Sequence, residues 1–272
     1  MRLEVGRENS TVVELHVEDL GFGPAVLLLH GWPNSGVVWE RQVLALLAAG
    51  HRVVSYDRRG FGKSSRCSTG FDIDTLAEDL KRVIDTLELQ DLALVGYGTG
   101  CGEAIRYLGT FGSDRVRSMA LLAPVRPAPA PRDDLAREAV DELLQAMVEE
   151  RHEALATFVE DSFRQEESSH GDRVGQDTRR ALWMDAVATG PTALIESLRS
   201  SRCDFRDDLV RISVPTLILQ GSADRVAPPS VSDEPAAAAI GHARREMVEG
   251  APHALLWTHA KSVNAHLLDF LR

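Results

Sequence analysis

The sequence predicts an α/β fold in one domain: a mostly parallel twisted sheet flanked by helices, with a helical cap inserted into it. Three observations carry this. Short continuous apolar runs recur along the chain, helical periods alternate with them, and between Val125 and Leu209 the alternation gives way to helical patterns alone. Continuous apolar runs mark strands buried on both faces, which is how a parallel sheet covered by helices reads. A length of 272 residues suits such a domain with an insertion.

In chain order, Thr11–Val17 alternates as a half-buried strand and is followed by the turn residues Gly21-Phe22-Gly23-Pro24. Buried strands are expected at Ala25–His30, His51–Tyr56, Asp91–Val95, Val116–Leu122 and Pro215–Gln220. Helical periods fall at Val37–Ala49, Asp74–Leu87 and Cys101–Phe111. Past Val125 the Pro-rich VRPAPAPRDD leaves the sheet, and helical patterns follow at Leu135–Glu150, His152–Phe163, Arg179–Thr189 and Thr192–Arg199. The polar stretch Gln165–Asp177 reads as a mobile cap loop. The core is therefore assigned to residues 1–125 and 210–272, and the cap to 126–209.

The charge balance of 30 − 41 = −11 gives no electrostatic footprint for nucleic acid or an anionic membrane. Cys67, Cys101 and Cys203 are odd in number and widely spaced, so neither a disulfide framework nor a zinc site is expected. The N-terminal residues lack the apolar core of a signal peptide, and the run Ala25–Leu29 is far too short for a bilayer. A soluble cytoplasmic protein acting on a small molecule is the expectation; homo-oligomerisation is left open.

The chemistry concentrates in three places. The first is the strand–turn–helix DLALVG-Y-G-T-G-CGEAIRYLG, the setting of the G-x-S-x-G nucleophile elbow, with Gly96 and Gly100 as the flanking glycines and Gly98 at the centre. A dinucleotide loop is the competing reading. It is disfavoured because the spacing is G-x-G-x-G rather than G-x-G-x-x-G, and no acidic residue ends a strand about 20 residues on. The second is Gly221-Ser222-Ala223-Asp224-Arg225, which closes the PTLILQ strand. The third is Gly250-Ala251-Pro252-His253, 29 positions after Asp224. Elbow, then acid, then histidine is the chain order of an α/β-hydrolase, which makes Asp224 the residue that orients His253 and His253 the proton-transfer group.

With HGWP (from His30), YDRRGFGKSS, the elbow with GEAIRYLG, SADRVAP and EGAPHALLWTHAKSVNAHLLDFL, the chain resembles the cofactor-free (non-haem) haloperoxidase, arylesterase and perhydrolase group of α/β-hydrolases from about residue 10 onward. The resemblance implies an α/β-hydrolase fold with no metal and no cofactor. It implies an oxyanion hole formed by the backbone N–H groups of Trp32 and Thr99, and an acid–base pair in Asp224 and His253. The family's nucleophilic serine maps onto Gly98.

Without a side-chain oxygen at Gly98 no acyl-enzyme forms there. Cys101, two residues on, is off the line of attack and reads as a packed core residue. Ser64, Ser65 and Ser222 read as loop or capping residues. Three functions fit this pattern. One is a non-covalent enzyme in which His253, held by Asp224, moves protons on a small carbonyl or ester metabolite, by cyclisation, elimination, decarboxylation, an aldol-type step or direct attack by water. Another is a serine esterase or perhydrolase inactivated by a serine-to-glycine substitution at position 98. The third is a non-catalytic small-molecule receptor. Phe158, Phe163, Leu182, Trp183 and Met184 serve either as pocket lining or as cap core.

Overall fold

The computed structural model describes residues 1–125, 135–164 and 171–272. The first half of the chain forms β1 (Arg2–Glu8), β2 (Thr11–Leu20), β3 (Ala25–Leu29), α1 (Glu40–Ala48), β4 (Arg52–Asp57), α2 (Ile73–Thr86), β5 (Leu92–Tyr97), α3 (Gly100–Phe111) and β6 (Val116–Leu122). Helices follow at α4 (Leu135–Glu149), α5 (Arg151–Ser162), α6 (Gln176–Ala188), α7 (Pro191–Ser200) and the short α8 (Arg206–Leu209). The chain then returns through β7 (Thr216–Gly221), α9 (Asp233–Ile240), β8 (Arg244–Val248), α10 (Leu255–Thr258) and α11 (Ala260–Phe270).

These strands make a single sheet in the order β1-β2-β4-β3-β5-β6-β7-β8. β2 pairs antiparallel with β1 and β4, and every pairing from β4 to β8 is parallel. Side chains alternate across it. Leu27, Leu29, Leu94 and Ile218 face one layer with α2 and α3, whereas Val26, Leu28, Val95 and Leu217 face Trp39, Leu255 and Leu267 on the other. Because both faces are covered, β3, β5 and β7 are buried along their whole length, which is why apolar residues dominate their sequences.

β8 lies outside the strands read from sequence. It is the sheet edge, with Arg244 and Arg245 exposed, and it carries too few apolar residues to signal a strand. α6 begins at Gln176, inside the stretch expected as loop. Most of the Pro-rich exit (126–134) and the start of the polar loop (165–170) lie outside the described residues. Among the described residues no helix is long and apolar enough to cross a membrane.

The sheet sets the site through one close approach. A Cβ on Gly100 would lie 2.1 Å from the Leu29 carbonyl oxygen, and one on Gly96 would lie 2.7 Å from the Cys101 backbone. Neither distance is survivable without moving backbone, so α3 meets β3 and β5 only because both residues are glycine. Gly98 differs: its φ is +53° and the nearest atoms to an added Cβ are at ordinary contact distance, 3.6 Å or more. Gly100→Ala is therefore expected to cost roughly 3 kcal/mol or to prevent folding. Gly98→Ala should lose only the left-handed backbone penalty of about 1–2 kcal/mol. Urea unfolding of the two variants checks the contrast.

Candidate active site

The turn between β5 and α3 carries Gly98 at its apex, its N–H bonded to the Leu122 carbonyl of the neighbouring β6 at 3.0 Å. An ideal Cβ there would point at His253, 3.6 Å from Nε2 and 3.9 Å from Cε1, with Gly31 Cα 3.7 Å away. The residue that sequence order paired with the elbow is thus its nearest side-chain neighbour.

His253 is buried and fixed from both sides. Its Nδ1 lies 2.8 Å from Asp224 Oδ2. With Asp224 as the carboxylate, Nδ1 carries the proton and donates, which leaves Nε2 as the basic nitrogen facing Gly98. Tyr97 packs its ring beside the imidazole at 5.3 Å between centroids, and its hydroxyl donates to the His253 carbonyl at 3.1 Å. Burial pushes the Tyr97 phenol well above its ordinary range, so it stays a neutral donor. Asp224 is held in turn: Oδ1 accepts from the Val226 and Ala227 N–H groups at 2.9 and 2.8 Å, and Oδ2 accepts from Gln220 Nε2 at 3.0 Å. Tyr97 and Gln220 escaped sequence reading, although a polar glutamine ending an apolar strand was a signal that it meets a buried partner.

The structure joins Trp32 and Thr99 by a hydrogen bond that the reading of two backbone N–H groups aimed at one substrate oxygen did not include. The Trp32 N–H, expected to point into the pocket, donates to the Thr99 side-chain oxygen at 2.9 Å. Arg58 Nη1 donates to the same oxygen at 3.0 Å. The physical reason is that Arg58 is buried beneath the turn and needs acceptors. Its Nε donates to Glu103 Oε2 at 2.7 Å, Tyr56 also donates to Glu103, and the Glu103 side chain is fully buried. His30 completes the network by accepting the Arg58 N–H at Nε2, 3.0 Å away. Burial, reinforced by the Arg58 charge, pushes the His30 pKa down to about 3, so it remains neutral. Arg58 and Glu103 sit inside YDRRGFGKSS and GEAIRYLG, but nothing in their spacing announces that they pair. From the cap side, α6 and α7 grip the same loop. Asp185 accepts from Ser35 N–H and Oγ at 2.9 and 2.7 Å, and Leu194 O accepts from Trp32 Nε1 at 3.0 Å.

Substitute nucleophiles are absent where sequence reading placed the candidates. Cys101 is 1% exposed, its Sγ faces the Leu122 carbonyl at 3.6 Å, and burial drives its thiol pKa far up. Ser64 and Ser65 accept from His16 and Glu14 N–H on β2, and Ser222 accepts from Gly250 N–H. A cavity of about 1520 Å³ opens over the site, floored by Trp32, Thr99 and His253 and walled by α4, α5 and the segment Arg225–Ser232. Of the five cap residues of open role, Phe158 lines this cavity, edge-on to Trp32. Phe163 and Leu182 are core, Trp183 donates to the His152 carbonyl, and Met184 is exposed.

The fold and the arrangement of turn, acid and histidine are those of the alpha/beta hydrolase fold family, to which the chain belongs: it matches that family over residues 24–260. Within it, the chain is an α/β-hydrolase-type enzyme close to the non-heme haloperoxidases and esterases. A Synechocystis sp. protein bearing a provisional non-heme chloroperoxidase name is 41% identical over 98% of each chain. The bifunctional esterase/perhydrolase of Acinetobacter calcoaceticus is 30% identical over 96% of each chain. The crystal structure of a bromoperoxidase from Bacillus anthracis superposes with a TM-score of 0.94 at 35% identity, covering 100% of this chain and 99% of that one.

The Arg58–Glu103 ion pair lies buried beneath the site. Glu103→Gln leaves the guanidinium without a counter-charge, a change expected to cost about 3–5 kcal/mol. The shift of the urea midpoint measures it.

Proposed function

We propose that this chain is an α/β-hydrolase-fold enzyme that works without a covalent nucleophile, using the His253–Asp224 dyad to move protons on a small carbonyl or ester metabolite. The observation that carries this reading is the pairing of an assembled dyad, 2.8 Å between Nδ1 and Oδ2, with open contact distance above Gly98, 3.6 Å from Nε2. A base is in place and the group it would deprotonate in a serine hydrolase is missing from the chain, so the proton it takes belongs to the substrate or to water. In this reading Nε2 removes a proton from a carbon, hydroxyl or water next to the substrate carbonyl and returns it to the leaving or newly basic atom, with Asp224 stabilising the imidazolium between the two transfers. No metal or cofactor has a role in these steps.

The alternative of a serine esterase silenced at position 98 shares every part of the site except the native reaction. A receptor has no use for a matched proton-transfer pair, and the care with which Asp224 is hydrogen-bonded speaks against that role. The cap segment 126–209, as drawn from sequence, supplies α4 and α5 as pocket walls and so would set substrate choice.

Two outcomes are expected. A fluorophosphonate probe should leave the native chain unlabelled, while Gly98→Ser should be labelled at position 98 and should hydrolyse p-nitrophenyl acetate. Adding His253→Ala to that variant should then reduce kcat by about 10⁴-fold or more. A folded Gly98→Ser chain that neither reacts nor hydrolyses would show that dyad and turn are not arranged for acyl transfer.

For the native reaction, small carbonyl compounds and esters are to be screened by conversion. His253→Ala should remove nearly all turnover, and Asp224→Asn should lower kcat by roughly 10³–10⁴-fold through the wrong ring tautomer. Conversion by His253→Ala at the native rate would overturn the proton-transfer reading.

A further inference from the structure

We infer that the side-chain hydroxyl of Thr99, polarised by Arg58, is a hydrogen-bond donor this pocket offers to a substrate oxygen, in place of the Trp32 backbone N–H. The inference rests on the reading of the cavity above Gly98 as the place where a carbonyl or ester compound reacts.

A threonine hydroxyl has two acceptor positions and one proton to give. Both acceptor positions of Thr99 Oγ1 are taken, by the Trp32 N–H at 2.9 Å and by Arg58 Nη1 at 3.0 Å. Its proton can therefore only be donated outward, and among the described residues it is donated to none. Thr99 lies half-buried on the cavity floor between Trp32 and His253, so the free direction is the substrate's.

Two further features separate this threonine from an ordinary helix cap. Thr99 is the N-cap residue of α3, where a threonine hydroxyl usually accepts an N–H of the first turn, yet here it makes no capping bond. It is turned instead toward a guanidinium whose side chain is 4% exposed and whose Nη2 has no partner among the described residues. A hydroxyl that accepts from a cation becomes a stronger donor, because each bond in such a chain polarises the next. Glu103, Arg58 and Thr99 thus form a relay of oriented dipoles ending at the pocket. The substrate group it suits is an oxygen that gains negative charge as His253 acts: the oxygen of a carbonyl becoming an enolate or a tetrahedral adduct.

Replacing the hydroxyl by a methyl group separates this role from the backbone alternative, since Thr99→Val both removes the donor and releases the Trp32 N–H. In the Gly98→Ser chain assayed with p-nitrophenyl acetate, Thr99→Val is expected to lower kcat by about 100-fold, the usual loss of one oxyanion donor. KM should change little, and Thr99→Ser should recover most of the loss. An unchanged or higher kcat in Thr99→Val overturns the inference and gives the role to Trp32 N–H.

A second measurement does not need esterase activity. Phenylphosphonate, a stable oxyanion, is titrated calorimetrically into the native chain and into its Thr99→Val and Thr99→Ser variants. Binding at least about tenfold weaker in the valine variant, restored in the serine variant, supports the hydroxyl as donor. Failure of the native chain to bind, or equal binding by the valine variant, overturns it. Where Gly98→Ser is active its kcat decides; where it is inactive the dyad reading falls and the titration alone decides on Thr99.

Discussion

The contact on which the site depends is the approach of the first turn of α3 to the end of β3, close enough that a Gly100 Cβ would lie 2.1 Å from the Leu29 carbonyl oxygen. That approach has three results. It leaves no room for a side chain at Gly96 or Gly100, it drives the backbone at Gly98 to φ +53°, and it brings Thr99 within hydrogen-bond reach of Trp32 N–H on the next loop. The turn is rigid because the sheet on one side and the helix on the other are both fully packed. A site built on such elements holds its geometry better than one built on a free loop.

Around this turn the protein uses two different ways of keeping charge out of water. Asp224 is held by four donors, from Val226, Ala227, Gln220 and His253, so its carboxylate is satisfied before any substrate arrives. Arg58 and Glu103 are instead an ion pair in which Arg58 also donates to Thr99 and Glu103 also accepts from Tyr56. The first arrangement fixes a base on the C-terminal side of the sheet. The second holds the Arg58 guanidinium, paired with Glu103, against the Thr99 hydroxyl on the cavity floor. Under the function proposed above, a substrate oxygen beside Thr99 would lie near both the guanidinium end of that pair and His253.

Much of this was legible in the sequence. Ala25–Leu29, Leu92–Val95 and Leu217–Leu219 are uniformly apolar because both faces of the sheet are covered, and that same covering makes them readable. Gly98, Asp224 and His253 could be brought together because chain order and the ends of strands determine which loops share one edge of a parallel sheet. Side-chain direction was not legible. Whether the Trp32 N–H faces the pocket or the Thr99 hydroxyl depends on a buried arginine from a different loop, and no spacing rule connects Arg58 to Thr99. β8 was missed for the opposite reason to β3: at the sheet edge its residues face solvent, and Arg244 and Arg245 conceal the strand.

The position of the helices between β6 and β7 has a consequence for the order in which the protein is made. Asp224 lies 126 positions after Gly98 (224 − 98) and His253 lies 155 after it (253 − 98). At about 5–20 residues per second, the turn and its glycines leave the ribosome roughly 8–30 seconds before His253 does. During that interval β1 to β6 can already pair, since each finds at least one neighbour among them, while the β6 edge that β7 and β8 will cover stays open. The turn and its ion pair are thus made early and His253 late, so the elements that meet at the cavity floor come together only after the last two strands have been made.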